Sequence, residues 1–326
     1  MSNAPSNEQT VYTRIAGTGS CIASKLVTND DISKMVETNH DWIVERSGIH
    51  QRYVLAEGES LTGLAKVAAE RAMDAAGVGK ADIDMIILAT TTPDRTFPSN
   101  AVLLQHELGI EDCPAFDVYA ACAGFNYGLC IADSFMKTGQ AKCILLLGAE
   151  ALSRITNWQD RSSCFLFGDG VGAVVLQQSK ESGIIAAKMH AAGQYKDLLY
   201  AGSGLNHKTE PPHIVMQGNA VFKVAVHKLC DAVVEILESS GMHESQVDWL
   251  VPHQANLRII NAVAKRLNLP MERVVINIEK YGNTSSASVP IALDEAVRDG
   301  RIKRGEVLLL ESFGGGFTWG SALIRY

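Results

Sequence analysis

The sequence predicts an α/β fold built from two duplicated lobes. Short apolar runs fit for buried strands alternate with segments of helical period, and this order occurs twice. Glycine and aspartate landmarks recur at matching places in the two copies. In the first copy, helical periodicity over 61–76 stops at Gly77, and after a polar turn the run 83–88 reads as a strand apolar on both faces. A helix then starts after Pro98-Ser99 and stops at Gly109. A strand ending near Val118, an apolar helix over 123–136 and strands over 143–147 and 172–176 complete the copy.

The second copy reads as a helix over 221–240, Gly241, a strand over 247–251, a helix over 259–267, a strand over 274–276, a helix over 286–297 and strands over 307–310 and 321–324. Gly77 to Asp84 is seven residues, as is Gly241 to Asp248, and Asp84-Met85-Ile86-Ile87-Leu88 corresponds to Asp248-Trp249-Leu250-Val251-Pro252. The expected division is a disordered tail over 1–10, one lobe over 11–180 and a second over 181–326. Sites in open α/β sheets lie at the carboxyl ends of strands, so both lobes are placed to contribute to one site.

Bulk properties exclude several classes. With 326 residues, 47% hydrophobic and 20% charged, the chain has the composition of a compact protein with a large core. Its formal charge of −7 argues against general nucleic-acid or anionic-membrane binding and leaves room for a local basic patch. No apolar run is long enough to span a membrane, and Met1 to Thr10 lacks the parts of a signal peptide, so the reading is cytoplasmic. Seven cysteines show no C-x-x-C spacing and no nearby paired histidines, which points to reduced thiols rather than zinc or a disulfide framework.

Three side chains stand out for chemistry. Cys122 lies in Tyr119-Ala120-Ala121-Cys122-Ala123-Gly124, between a strand end and the first turn of an apolar helix, where unpaired N–H groups and the helix dipole are expected to favour a thiolate. The plainer reading is a core cysteine at a tight corner. His253 follows the apolar strand of the second lobe amid amides, as a hydrogen-bond donor or proton acceptor would, or as an ordinary loop histidine. Asn283, in Tyr281-Gly282-Asn283-Thr284-Ser285-Ser286, reads alone as a helix cap. The duplication changes this, because it puts Cys122 and Asn283 at matching corners and brings His253 toward both. Gly314-Gly315-Gly316 allows backbone N–H groups to approach a ligand, or forms a flexible hairpin turn. Two glycine motifs are set aside: Gly168-Asp169-Gly170-Val171-Gly172 precedes a strand and reads as a turn, and Gly17-Thr18-Gly19 lacks a third glycine and a phosphate-loop lysine.

From about Val11 to Tyr326 the chain resembles the β-ketoacyl-acyl carrier protein synthase III enzymes of the thiolase superfamily. The motifs that carry the resemblance are Asp41-Trp42-Ile43-Val44-Glu45-Arg46-Ser47-Gly48-Ile49, the Cys122 corner, Phe167-Gly168-Asp169-Gly170, Val251-Pro252-His253-Gln254-Ala255-Asn256, Gly282-Asn283-Thr284-Ser285 and Gly314-Gly315-Gly316-Phe317-Thr318-Trp319-Gly320. It implies a thiolase-like fold of two duplicated lobes in a five-layered αβαβα arrangement, and a cofactor-free decarboxylative condensation that initiates fatty-acid synthesis. By this resemblance Cys122 takes an acyl group from acyl-CoA, the N–H groups of Cys122 and Gly315 form the oxyanion hole, and His253 and Asn283 hold the thioester carbonyl of malonyl-acyl carrier protein. Trp42, Arg46, Arg161 and Asn256 would bind CoA, and Phe97 would cross a homodimer interface to limit the partner's acyl pocket. Lys223, Arg258, Lys265 and Arg266 would form a basic patch for the acidic carrier protein, against the plainer reading of a solvated helix face.

The stretch 189–216, with Gly193, Gly202, Gly204, Pro211 and Pro212, reads as a loop-rich insertion near the acyl pocket, which leaves primer length and branching open. A thiolase would carry a second cysteine near the C-terminal glycines, and none follows Cys230. Enzymes that elongate carrier-bound chains have a second histidine where this chain has Asn283. Chalcone-synthase-like and quinolone-forming relatives share all three residues, so a specialised-metabolite ketosynthase using a non-acetyl primer is the enzymatic alternative. A non-catalytic acyl-CoA-binding paralogue is the alternative outside enzymes.

Overall fold

The computed structural model describes residues 11–203 and 211–326; the expected tail and Gly204 fall outside the described residues. The first lobe runs β1 (Tyr12–Ile22), β2 (Lys25–Thr28), α1 (Asn29–Ser33), α2 (His40–Ser47), β3 (Gln51–Val54), α3 (Leu61–Ala76), β4 (Met85–Ala89), α4 (Asn100–Leu108), β5 (Ala115–Val118), α5 (Gly124–Lys137), β6 (Cys143–Ala151) and β7 (Asp169–Ser179). The second runs β8 (Ile184–Ala191), β9 (Leu199–Ala201), β10 (Ile214–Met216), α6 (Gly218–Ser240), β11 (Trp249–Pro252), α7 (Leu257–Arg266), α8 (Ile278–Tyr281), α9 (Ser288–Arg298), β12 (Val307–Gly314) and β13 (Thr318–Arg325).

Local chemistry sets many of these limits. Ser60 caps α3 by accepting from the Gly63 N–H, and Ser99 caps α4 by accepting from Val102. Gly77, Gly109 and Gly241 end α3, α4 and α6 in the left-handed conformation that a side chain disfavours.

The two main sheets repeat one plan. The first has the order β1-β7-β6-β4-β5, with β4 parallel to both neighbours and β7 antiparallel to β6 and β1. The second, from the equivalent edge, is β8-β13-β12-β11, with β11 parallel to β12 and β13 antiparallel to β12 and β8. Strand side chains alternate between faces, and the packing follows that period. Ile86, Leu88, Leu145 and Leu147 pack with α3 and α4, whereas Met85, Ile87, Ile144 and Leu146 pack with α5 and α9. In the second sheet Leu308 and Leu310 join that same middle cluster, while Leu250, Leu309 and Leu323 pack with α6 and α7. The result is five layers, αβαβα. Each fully buried aliphatic side chain contributes about 1.5–3 kcal/mol by transfer from water, so the shared middle layer binds the lobes strongly.

Four expectations need correction. The β1 strand is absent from the sequence reading because its glycines mask it. A Cβ on Gly17 would lie 2.4 Å from both the Ala72 carbonyl and the Ala76 nitrogen, so glycine is what lets α3 press onto β1. Asp169 to Gly172, read as part of a turn, lies within β7, where a Cβ on Gly172 would meet the Ile291 nitrogen at 2.6 Å. The expected strand over 274–276 reduces to one parallel bridge between Val274 and Leu250, at the place β5 holds in the first sheet. The stretch 189–216 is not loop alone: Met189 belongs to β8, and β9 pairs with β10.

Gly17→Ala drives a methyl into the α3 backbone and is expected to destabilise by about 1–3 kcal/mol, read as a lower melting temperature in a thermal unfolding scan.

Candidate active site

Two corners of the fold meet at one cavity. After β5 the chain turns through Ala121, at φ 45°, into a 3-10 turn over Ala121–Ala123 that carries Cys122 to the start of α5. In the second lobe Ser285, at φ 49°, opens the 3-10 turn Ser285–Ala287 before α9. The spacing that takes Gly77 to Gly241 also takes Ala121 to Ser285 and Cys122 to Ser286. The residue in register with Cys122 is therefore Ser286, and Asn283 stands ahead of it on the same corner; the sequence reading matched the corner but not the position.

Asn283 is held on both sides. Its backbone N–H donates to the Leu166 carbonyl at 2.8 Å, and its carbonyl accepts from Gly168 at 3.0 Å. Its Oδ1 accepts from the Ser285 N–H at 2.8 Å, which leaves the Nδ2 donors to face the cavity. Asn283 is thus not the cap that the sequence suggested, since Thr284 holds that position; its oxygen closes a local turn.

His253 follows β11, and its backbone N–H donates to the Glu311 carbonyl on β12 at 2.7 Å. Its Nδ1 lies 2.5 Å from the Ser288 hydroxyl, which also accepts from the Gln254 N–H at 3.3 Å. With the Ser288 hydroxyl assigned as donor to Nδ1, Nε2 carries the ring proton. Burial lowers the His253 pKa to about 3, so the imidazole is a neutral donor. A buried base with a depressed pKa binds fewer protons folded than unfolded. Its contribution to stability is therefore present above the unfolded value near 6.5 and lost as pH falls toward 3.

For Cys122 burial works against the thiolate that the helix start favours. It raises the pKa to about 12, and the charge of Glu150 adds to the rise. The glycine hairpin between β12 and β13 lies against this residue: a Cβ on Gly314 would sit 2.5 Å from the Cys122 nitrogen. Thr318 fixes the hairpin by donating to the Ala120 carbonyl at 2.7 Å.

Cys122, His253, Asn283, Ser285, Gly315 and Gly316 line a single cavity of about 1100 Å³. Toward its mouth the Arg46 and Arg161 guanidinium carbons lie 4.4 and 4.6 Å from the centre of the Trp42 ring. Asn256 caps α7 by accepting from Arg258 and donates to the Arg46 carbonyl at 2.9 Å, so besides lining the cavity it fastens α7 to α2. Arg258 lines the mouth and stacks on Phe222, while Lys223, Lys265 and Arg266 are exposed on α6 and α7. Phe97 lies outside the cavity and is 83% exposed. The segment around β9 and β10 contributes Leu199, Tyr200, Ile214 and Met216 to the cavity wall.

Three supporting residues escaped the sequence reading. Ser285 and Ser288 sit in a hydroxyl-rich run that carries no positional signal by itself. Glu150 had a signal, a carboxylate closing an otherwise apolar strand, but the expected strand stopped at Leu147.

A central helix tip bearing a thiol, faced by an imidazole and a carboxamide across duplicated lobes, defines a thiolase-type condensing enzyme. The match to known proteins is close. The family model for 3-oxoacyl-[acyl-carrier-protein] synthase III matches residues 116–193, and its C-terminal counterpart matches 237–326. The β-ketoacyl-[acyl-carrier-protein] synthase III of Thioalkalivibrio sulfidiphilus is 54% identical over 97% of this chain and 99% of its own. The crystal structure of the 3-oxoacyl-[acyl-carrier-protein] synthase III from Aquifex aeolicus superposes with a TM-score of 0.92 at 47% identity, over 96% of this chain and 100% of that one. That from Pseudomonas aeruginosa gives 0.91 at 38% identity, over 97% and 98%. The chain belongs to the β-ketoacyl-acyl carrier protein synthase III family, and it is a condensing acyltransferase.

NMR of the imidazole nitrogens is expected to report His253 as the neutral Nε2–H form throughout pH 5 to 8; a protonation midpoint near 6.5 would contradict this environment.

Proposed function

We propose that the chain condenses an acyl-CoA primer with malonyl-acyl carrier protein, with loss of carbon dioxide, to give a β-ketoacyl-acyl carrier protein. The observation that carries this reading is the convergence of Cys122, His253 and Asn283 on one cavity. Cys122 attacks the primer thioester, and its tetrahedral oxyanion is held by the N–H groups of Cys122 and Gly315 until CoA leaves. His253 Nε2–H and Asn283 Nδ2–H then donate to the malonyl thioester carbonyl. As carbon dioxide departs, the electron pair moves onto that oxygen, and the resulting enolate attacks the acyl-Cys122 carbonyl.

Both half-reactions place negative charge on a thioester oxygen, which fixed N–H donors stabilise; on this ground we read the reaction as needing no metal or organic cofactor. A neutral imidazole suits the role, since it donates without having to lose a charge as pH rises. Trp42 flanked by Arg46 and Arg161 offers a stacked, cationic surface for the adenine and phosphates of CoA. The basic residues Lys223, Arg258, Lys265 and Arg266 are the docking site for the acidic carrier. A homodimer places the exposed Phe97 and the edge strand β5 against a second copy, with Phe97 closing the partner's acyl pocket. The lobes over 11–180 and 181–326 supply the nucleophile and the two donors respectively.

Weighing the intact protein after incubation with a panel of acyl-CoAs is expected to show one added acyl mass that Cys122→Ser abolishes. A non-catalytic binder gains none, and the best primer in the panel distinguishes an acetyl starter from longer or branched ones. His253→Ala and Asn283→Ala should each lower condensation about 10²–10³-fold while acylation persists, measured as product formation against single-turnover acyl transfer. Charge reversal at Lys265 and Arg266 should raise KM for malonyl-acyl carrier protein and leave KM for acyl-CoA unchanged.

A further inference from the structure

The reaction above has Asn283 donate from Nδ2, and a carboxamide does so only when it is turned the right way. Its direction is set by one contact, the Ser285 N–H that donates to Oδ1 at 2.8 Å. Ser285 makes that contact from an unfavourable backbone. Its φ is 49°, in the left-handed region that a residue with a side chain keeps only where its surroundings hold it. Both residues are buried and line the cavity.

What holds Ser285 is a carboxyl from the other lobe. The Ser285 hydroxyl donates to Glu150 Oε1 at 3.1 Å, and Glu150 is fully buried near the end of β6. From the segment after β4, Thr92 donates its hydroxyl to Oε2 at 2.6 Å, and Thr91 donates its N–H and hydroxyl to the carboxylate at 3.1 to 3.3 Å. Thr92 is itself fixed by the Ala151 N–H, which donates to its hydroxyl oxygen at 2.8 Å. The Ser286 hydroxyl lies 3.2 Å from Oε1 but closer, at 2.9 Å, to the Ala89 carbonyl. The carboxylate thus meets donors from its own lobe that fix its position, and the Ser285 hydroxyl reaches it from the other. It cannot follow Ser285 if the corner relaxes, so the corner is what is held.

We infer that Glu150 is a positioning residue for Asn283: by anchoring Ser285 in the left-handed conformation, it keeps Asn283 Nδ2 aimed at the malonyl thioester carbonyl. The inference rests on the proposed condensation. Without the anchor, Ser285 relaxes from φ 49° toward the ordinary helical or extended regions, and its N–H leaves Oδ1. The carboxamide then turns about its last bond, whose torsion is broad. An amide oxygen in the place of Nδ2 repels the enolate oxygen that the donor should stabilise. Primer loading is spared, because the oxyanion of that step is held by the N–H groups of Cys122 and Gly315. A carboxyl that merely props the two lobes together would instead serve both half-reactions alike.

The test is made at pH 8, since burial raises the Glu150 pKa to about 7 and the anchor has to be ionised. Single-turnover acylation by the preferred acyl-CoA and the condensation kcat with malonyl-acyl carrier protein are measured in the intact protein and in Glu150→Gln. The same rates are measured in Glu150→Gln combined with Ser285→Ala and with Ser285→Gly. Glutamine keeps the size of the side chain but turns N–H donors toward other donors. Glu150→Gln should lower the condensation kcat at least about tenfold, as the loss of an aimed donor would, and leave acylation within about threefold. Adding Ser285→Ala should cost no more than about another twofold, since the two residues act in one chain. Adding Ser285→Gly should restore condensation to at least about a third of the original rate, because glycine takes a positive φ without an anchor. Three results each overturn the inference: undiminished condensation in Glu150→Gln, parallel loss of acylation and condensation, or no recovery with glycine. An unmodified protein that acylates but does not condense overturns the reading on which the inference rests, and is seen before any variant is compared.

Discussion

The structure depends on how closely the second lobe's α9 corner approaches the first sheet. Gly148 of β6 and Gly172 of β7 make this possible. A Cβ on Gly148 would lie 2.2 Å from the Ser286 carbonyl, and one on Gly172 would meet the start of α9. A side chain at either position would meet backbone and force the corner away from the sheet. With it seated, Ser285 and Ser286 come within bonding distance of Glu150, Asn283 is pinned between Leu166 and Gly168, and the tip of α5 lies beside them. The duplicated folds are thereby fused through their middle layer rather than set side by side.

Closeness of that kind excludes water, and the exclusion governs every charge in the cavity. The same desolvation raises the Cys122 thiol, raises the Glu150 carboxyl and lowers the His253 imidazole. All three are moved toward their neutral forms. For His253 this produces a donor indifferent to pH in the working range. For Cys122 it opposes the thiolate that the start of α5 favours. Charge is kept at the mouth, where Arg46, Arg161 and Arg258 face solvent and an anionic ligand would first arrive.

The sequence by itself determined what is local or periodic. Alternation of apolar runs fixed α3, α4, β4, β5 and most of α5 to within a few residues, because caps such as Ser60 and Ser99 and stops such as Gly77 and Gly109 act within one turn. The repeated spacing from glycine to aspartate made the duplication legible, and with it the pairing of the Cys122 and Asn283 corners. Only the tertiary structure decided β1, whose glycines answer to the backbone of α3 some fifty residues away, and the interior of β7, whose glycine answers to α9. It also decided that Ser286, not Asn283, is in register with Cys122, that Ser288 orients His253, and that Glu150 bonds to Ser285. The protonation states belong to the same group. A pKa depends on how much water and which dipoles surround a side chain, and those are supplied by residues from the other lobe. Short-range preferences are written along the chain, whereas desolvation and close approach exist only once distant segments have been brought together.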